Sequence, residues 1–196
     1  MSTKELIPNI YCVGSKDRHR PFFDNLMPLA EGTSYNAFLI KGSEKTALVD
    51  TVYPPCHSEL IDKLKEMGVE KIDYVIINHG EQDHTGTLPE LLSLFPEAKI
   101  VTNKKCQEIT MDQYHLVADG DEISLGDKTL QFMFAPWVHW PDTMFAFLKE
   151  DKILFSTDFF GAHVTNYDVF WDGTDTILPL IKAYYAEIQM PFAKVW

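Results

Sequence analysis

The feature that most restricts this chain is the run His79-Gly80-Glu81-Gln82-Asp83-His84, in which four potential metal ligands fall within six residues. Directly before it stands Tyr74-Val75-Ile76-Ile77, a β-branched apolar segment that reads as a buried strand ending where the polar run begins. Such a sequence selects folds in which a strand delivers polar groups to the edge of a sheet. Gly80 and Gly86 are read as places where the backbone turns tightly, so that neighbouring side chains converge. A lone histidine here would be an ordinary loop residue, but the whole cluster is expensive to assemble without a cation.

The strand pattern around this run predicts an α/β (α+β) chain. Ile10 to Gly14 reads as a first strand, and Ser34–Ile40 and Thr46–Val52 read as two strands of a hairpin. Asp50, at the end of the second, is either a cap or a group that orients metal ligands. Leu60, Ile61 and Leu64 recur at helical spacing between His57 and Met67, with Gly68 as the stop. Thr87 is placed to cap a helix with Pro89 in its first turn, running to about Phe95. Lys99–Thr102 reads as a strand, and Asn103 to Tyr114 as a helix that His115 ends. After that the pattern becomes antiparallel: Glu122–Leu125, Lys128–Ala135, Met144–Leu148 and Ile153–Asp158. Three apolar strands thus terminate near His79, His139 and Asp158, and their ends meet in one pocket if they share a sheet. The apolar end, from Ile177 to Phe192, reads as a helix.

Composition sets the classes of partner. With 196 residues, 45% of them hydrophobic, the chain can bury a substantial core as one domain, 1–196. A net charge of −12 argues against nucleic acid or an anionic membrane surface, since nothing would neutralise phosphates. No run approaches the roughly 18 apolar residues of a span, and no signal region follows Met1, so a soluble cytoplasmic protein is expected. Cys12, Cys56 and Cys106 lack CxxC spacing and are expected to be free thiols.

A pocket holding Glu81, Asp83 and Asp158 would bring three negative charges together. At an effective dielectric of about 20, each pair about 4 Å apart repels by about 4 kcal/mol. Two divalent cations offset that charge, with the neutral imidazoles of His79, His84 and His139 completing a mixed N and O ligand set. Such ligands admit iron, manganese or zinc, and glutamate at position 81 leans toward iron.

These residues, with Phe155-Ser156-Thr157-Asp158, Gly32-Thr33-Ser34-Tyr35-Asn36 and Tyr184 to Phe192, resemble the metallo-β-lactamase-like domain of flavodiiron proteins over nearly the whole chain. The wider superfamily usually has histidine at the second motif position, and glutamate there marks the diiron branch. The resemblance implies an αββα sandwich with the site at the sheet edge. It implies one iron held by His79, Glu81 and His139, the other by Asp83 and His84, and Asp158 bridging them. It also implies reduction of dioxygen to water or nitric oxide to nitrous oxide, with electrons from FMN on a flavodoxin-like domain or a rubredoxin-type donor, in a homo-oligomer.

The match has gaps. The family's second iron has a further histidine beyond the position of Trp196, and His163 does not stand where that ligand would be. No phosphate-binding loop for a flavin is present, so FMN is expected on a separate domain or chain, and the sandwich is expected to be C-terminally incomplete. Trp137, Trp140, Phe159, Phe160 and Tyr185 are read either as core or as the lining of a dry pocket. His19 is read as a solvated loop residue. A stand-alone diiron oxygen sensor or carrier and a zinc-dependent hydrolase of the same fold remain as alternatives; Glu81 counts against the second.

Overall fold

The structure is a computed structural model that describes residues 3–107, 114–165, 169–170, 173 and 175–194. In chain order the strands are β1 (Lys4–Ile7), β2 (Ile10–Cys12), β3 (Ser15–Asp17), β4 (Phe22–Phe23), β5 (Met27–Pro28), β6 (Thr33–Tyr35), β7 (Phe38–Lys41) and β8 (Thr46–Val49). They continue as β9 (Tyr74–Ile76), β10 (Lys99–Thr102), β11 (Tyr114–Leu116), β12 (Glu122–Ser124), β13 (Thr129–Phe134), β14 (Met144–Leu148) and β15 (Ile153–Phe155). The α-helices are α1 (His57–Glu66), α2 (Gln82–Thr85), α3 (Leu88–Leu94), α4 (Lys104–Gln107) and α5 (Leu178–Tyr184).

Two sheets form the body. One has seven strands in the order β1-β2-β7-β8-β9-β10-β11, antiparallel up to β8 and parallel from β8 onward. The other is the antiparallel meander β12-β13-β14-β15. The alternation of side chains along each strand explains the layering. Leu39, Leu48 and Val75 face one way and meet Leu60, Ile61 and Leu64 of α1 and Leu88 and Leu91 of α3. Ile40, Ala47, Val49 and Ile76 face the other way and pack on Leu130, Phe132, Met144, Ala146 and Phe155 of the second sheet.

This is a layered mixed sandwich of two sheets with helices against one of them. On the outer face of the second sheet, Phe145 and Phe147 are half-buried and Leu154 is exposed. The C-terminal helical stretch crosses toward the site instead, through Tyr184 and Phe192.

Several expectations are corrected. Ser34–Ile40 is not one strand: β6 pairs with β3, and β7 joins the large sheet. Thr87 makes no capping bond, because its hydroxyl donates to the Val52 carbonyl (2.9 Å). The helix predicted over Asn103–Tyr114 is α4 alone among the described residues: positions 108–113 lie outside them, and Tyr114 opens β11 instead. His115 does not end a helix; it sits on β11, paired with Val101. The three cysteines are free, and among the described residues no helix is long and apolar enough to cross a membrane.

Phe132 is fully buried at the centre of the inter-sheet core. Replacing it with alanine is expected to lower the urea-measured unfolding free energy by about 3–5 kcal/mol, whereas Leu154→Ala on the exposed face should change it by under about 1 kcal/mol. Equal effects would contradict this layering.

Candidate metal centre

The strand ends that deliver the predicted ligands belong to both sheets, not to one. Asn78 fastens them together: its backbone N–H donates to Asp50 Oδ1 (2.9 Å), and its carbonyl accepts the N–H of Met144 in β14 (2.8 Å). His79 therefore emerges where the sheets touch, fully buried. The next residues wind into α2, a short helix the sequence pattern did not show. Thr51 clamps it, with its N–H and its hydroxyl both donating to the His84 carbonyl (2.9 and 2.7 Å). Gly86 is required for space: a Cβ there would lie 2.4 Å from both the Gln82 carbonyl oxygen and Pro54 Cδ.

Two groups of donors result. His79 Nε2 lies 3.1 Å and His139 Nε2 3.4 Å from Glu81 Oε2, and they lie 3.7 and 3.6 Å from Asp158 Oδ2. On the other side, His84 Nε2 lies 3.2 Å from Asp158 Oδ1 and 3.6 Å from Asp83 Oδ1. Within each of the sets His79–His139–Asp158 and Asp83–His84–Asp158, one ligand atom per residue lies within 4.8 Å of the others. Asp158 thus turns one oxygen toward each set. All six side chains singled out in the sequence converge.

The polar atoms fit paired cations. Asp83 Oδ1 and Asp158 Oδ2 are buried with no hydrogen-bond partner among the described residues, which is costly for carboxylate oxygens unless something positive completes them. The titration shifts have the same origin. Burial lowers His79, but Asp142 and Glu81 outweigh it and hold the imidazole up at about 9. Burial raises Glu81, and His139 and His79 overcome that, bringing it down to about 2. Asp83 is pushed up to about 6, by burial first and then by the neighbouring Asp158 and Glu81 charges.

Behind the ligands stand further groups, of which the sequence singles out Asp50 and Trp140 but not Asp142. Asp142 Oδ2 accepts the Gly80 N–H (2.6 Å) and lies 3.6 Å from His79 Nδ1. Asp50 accepts the Asn78 N–H through Oδ1 and sets Oδ2 3.4 Å from His84 Nδ1, which also has Thr157 Oγ1 at 3.3 Å. The Tyr184 hydroxyl donates to Asp158 Oδ1 (3.1 Å). Trp140 sets its ring edge-on to His79, with centroids 4.9 Å apart. Trp137 stacks on Phe192 and Tyr185 is exposed, so Tyr184, not Tyr185, belongs to the site.

A cavity of about 480 Å³ opens onto Asp83, His84 and Asp158, walled largely by Phe38, Ile153, Phe155, Phe159 and Phe160. His163 also lines it, held by Thr33 Oγ1 (2.9 Å from Nδ1) and pushed down to about 4 by burial. It stands apart from both ligand groups.

A family model described as ODP family beta lactamase matches residues 33–195. A nitric oxide reductase of Moorella thermoacetica is 39% identical over 197 residues, covering 95% of this chain and 49% of the relative. Among solved structures, the flavodiiron protein of Giardia intestinalis superposes with a TM-score of 0.89 at 34% identity, covering 100% of this chain and 51% of that one. The rubredoxin oxygen:oxidoreductase of Desulfovibrio gigas gives a TM-score of 0.92 at 31% identity, covering 98% and 50%. The chain spans about half the length of these relatives.

Two measurements test this geometry. Asp142→Ala is expected to weaken divalent-metal affinity by about 10–100-fold, the usual effect of losing a carboxylate behind a ligating histidine; unchanged affinity would show that Asp142 does not orient His79. The second concerns stability against pH in chelated protein. His79 holds its proton more tightly folded (about 9) than unfolded (6.5), so its contribution is complete below about pH 6.5 and is lost as pH rises through about 9. Raised Asp83 acts in the same direction, its contribution fading as pH rises from 3.8 through about 6. Glu81 contributes above 4.5, and that is lost only as pH falls through about 2. The melting temperature of chelated protein should therefore fall by roughly 5–10 °C between pH 6.5 and 9, and added metal should restore it. A flat profile would contradict the assignment.

Proposed function

The chain belongs to the ODP family of beta lactamases, and from that premise we propose that it is a non-haem diiron oxidoreductase domain, 1–196, reducing dioxygen to water, nitric oxide to nitrous oxide, or both. In this reading His79, Glu81 and His139 would hold one iron and Asp83 and His84 the other, with Asp158 shared between them. The observation that carries it is the two-sided placement of Asp158, one oxygen toward each donor set. Glutamate at 81 supports iron over zinc, since a carboxylate there adds charge to an oxygen-rich set. Zinc hydrolysis has no comparable support.

When bound, the iron pair supplies electrons and a positive site for a diatomic ligand. The chain's own residues do the rest. Asp142 and Asp50 set carboxylates 3.6 and 3.4 Å from the Nδ1 atoms of His79 and His84, on the side away from the site that each Nε2 faces. The largely aromatic wall of the cavity beside Asp83, His84 and Asp158 suits an uncharged diatomic molecule. The hydroxyl of Tyr184, held protonated by burial and by the adjacent Asp158, keeps a proton beside the site at its Oη. Dioxygen reduction to water consumes four electrons and four protons, so a proton held there is chemically apt.

Electrons come, on this proposal, from FMN on another domain or chain, with a flavodoxin-like or rubredoxin-type donor; the relative named rubredoxin oxygen:oxidoreductase supports that class. The Asp83–His84 set has one side chain fewer than its counterpart, and a further ligand from another domain or chain would balance it. A cytoplasmic homo-oligomer completes the proposal.

Metal analysis of anaerobically prepared protein, followed by mixing the reduced form with oxygen or nitric oxide, is the direct test. About two irons per chain are expected once the site is complete, with Glu81→Ala and Asp158→Ala each losing at least one. Full iron content in both variants would refute the ligand assignment, and zinc-loaded protein that cleaves thioesters would replace the reading with hydrolysis.

A further inference from the structure

Asn103 stands directly after β10, the strand paired with the one that leads to His79, and is buried. Thr102, before it, donates its hydroxyl to the Ile77 carbonyl (3.0 Å), and the Ile77 N–H donates to the Val101 carbonyl (2.9 Å). This end of β10 is thereby tied to the chain two residues ahead of His79. The Asn103 amide then bonds in two directions. Its Oδ1 accepts the N–H groups of Lys105 (3.0 Å) and Cys106 (3.1 Å) in α4. Its Nδ2 donates to the backbone carbonyl of Asp142 (2.5 Å). An amide oxygen taken up by two N–H groups leaves only the nitrogen end for Asp142, and only that end can donate.

Asp142 is held at few points. Its Oδ2 accepts the Gly80 N–H (2.6 Å) and lies 3.6 Å from His79 Nδ1, whereas Oδ1 has no hydrogen-bond partner among the described residues. The direction of the carboxylate is therefore set by Oδ2 and by where the Asp142 backbone sits. That backbone belongs to the approach to β14 in the second sheet, and Met144 pins its far end through the Asn78 carbonyl (2.8 Å). Asn103 pins it at Asp142 itself. One amide thus braces the end of β10 in the large sheet against the loop leading into the second sheet, across 39 positions of sequence.

We infer that Asn103 is a positioning residue for the His79–Glu81–His139 side of the site: it holds Asp142 where the carboxylate steadies Gly80 and His79, and so tightens divalent-metal binding on that side. The inference rests on the metal reading of the site. His84 is oriented by other groups, Thr51 at its carbonyl and Asp50 and Thr157 at its Nδ1. None of these bonds to Asn103 among the described residues, so loss of Asn103 acts on one side only. A carboxylate behind a ligating histidine is worth about 10–100-fold in affinity, and a residue one step further back should carry about three- to tenfold of that.

Cobalt(II) titration of the full 196-residue chain, followed by visible absorption, tests this together with the NMR resonance of the Gly80 amide proton in metal-free protein. Asn103→Asp keeps an acceptor for α4 and removes the donor toward Asp142; Asn103→Ala removes both. Each is expected to weaken, about three- to tenfold, the same cobalt-binding step that Asp142→Ala weakens, and to leave any other step unchanged. Each should also move the Gly80 amide proton upfield as its bond to Asp142 loosens. In an Asp142→Ala background neither should weaken cobalt binding further, the signature of one residue acting through another. A cooperative melt shows that each variant is folded, and either one alone suffices for the test. Unchanged cobalt affinity, an unmoved Gly80 resonance, or equal weakening with and without Asp142 would overturn the inference and leave the metal reading standing. An unaltered chain that binds no cobalt would overturn both.

Discussion

The structure depends on one electrostatic constraint: Glu81, Asp83 and Asp158 share a small, largely buried space with three imidazoles. Neither set is stable there alone. Burial opposes the charged form of every member, and only the opposite charges across the gap hold the pattern. Without metal the balance is struck by protons on the histidines, a compensation that fails as the solution becomes alkaline. With cations the imidazoles become neutral donors and the same side chains are held together more permanently. The site is therefore matched to metal, and the rest of the fold is arranged to keep its members from separating.

That arrangement is partly paid for in backbone strain. Asp50, Trp137, Thr157 and Phe160 all have positive φ, at 55°, 70°, 47° and 67°. Thr157 is β-branched, for which this conformation is a genuine outlier. Each such residue costs about 1–3 kcal/mol, and all four neighbour the site: Asp50 behind His84, Trp137 two residues before His139, Thr157 and Phe160 on either side of Asp158. Left-handed turns change chain direction at a strand end within one residue. An extended backbone would carry the carboxylate of Asp158 onward along the sheet, away from His79 and His84.

Much of this was legible in the sequence because it is local. The β-branched run before His79, the helical spacing of Leu60, Ile61 and Leu64, and the alternation along Leu130 and Phe132 each report burial through periodicity, and each lies where that periodicity puts it. What escaped was decided by tertiary contact. Tyr114 and His115 read as the end of a helix, yet backbone pairing with β10 claims them. The ligand strand ends were legible, but their division between two sheets was not, because sheet membership is set by partners far along the chain. Asp142 follows His139 by three residues and resembles any turn aspartate; only the fold brings Gly80 to it. Tyr184 and Tyr185 are indistinguishable by composition, and helix rotation alone selects the first.

The two donor sets are unequal, and the inequality gives the site a direction. His79, Glu81 and His139 close one side, with Trp140 and Phe192 packed against the imidazoles. Asp83 and His84 leave the other side facing an aromatic cavity. On the diiron reading, a neutral diatomic molecule entering that cavity would come first to the donor set with fewer protein side chains. Tyr184 stands on the same side, bonded to the Asp158 oxygen that faces His84. The cavity and the held proton therefore share one face of the site, and the opposite face is closed by protein. A symmetric pair of donor sets would have no such open side.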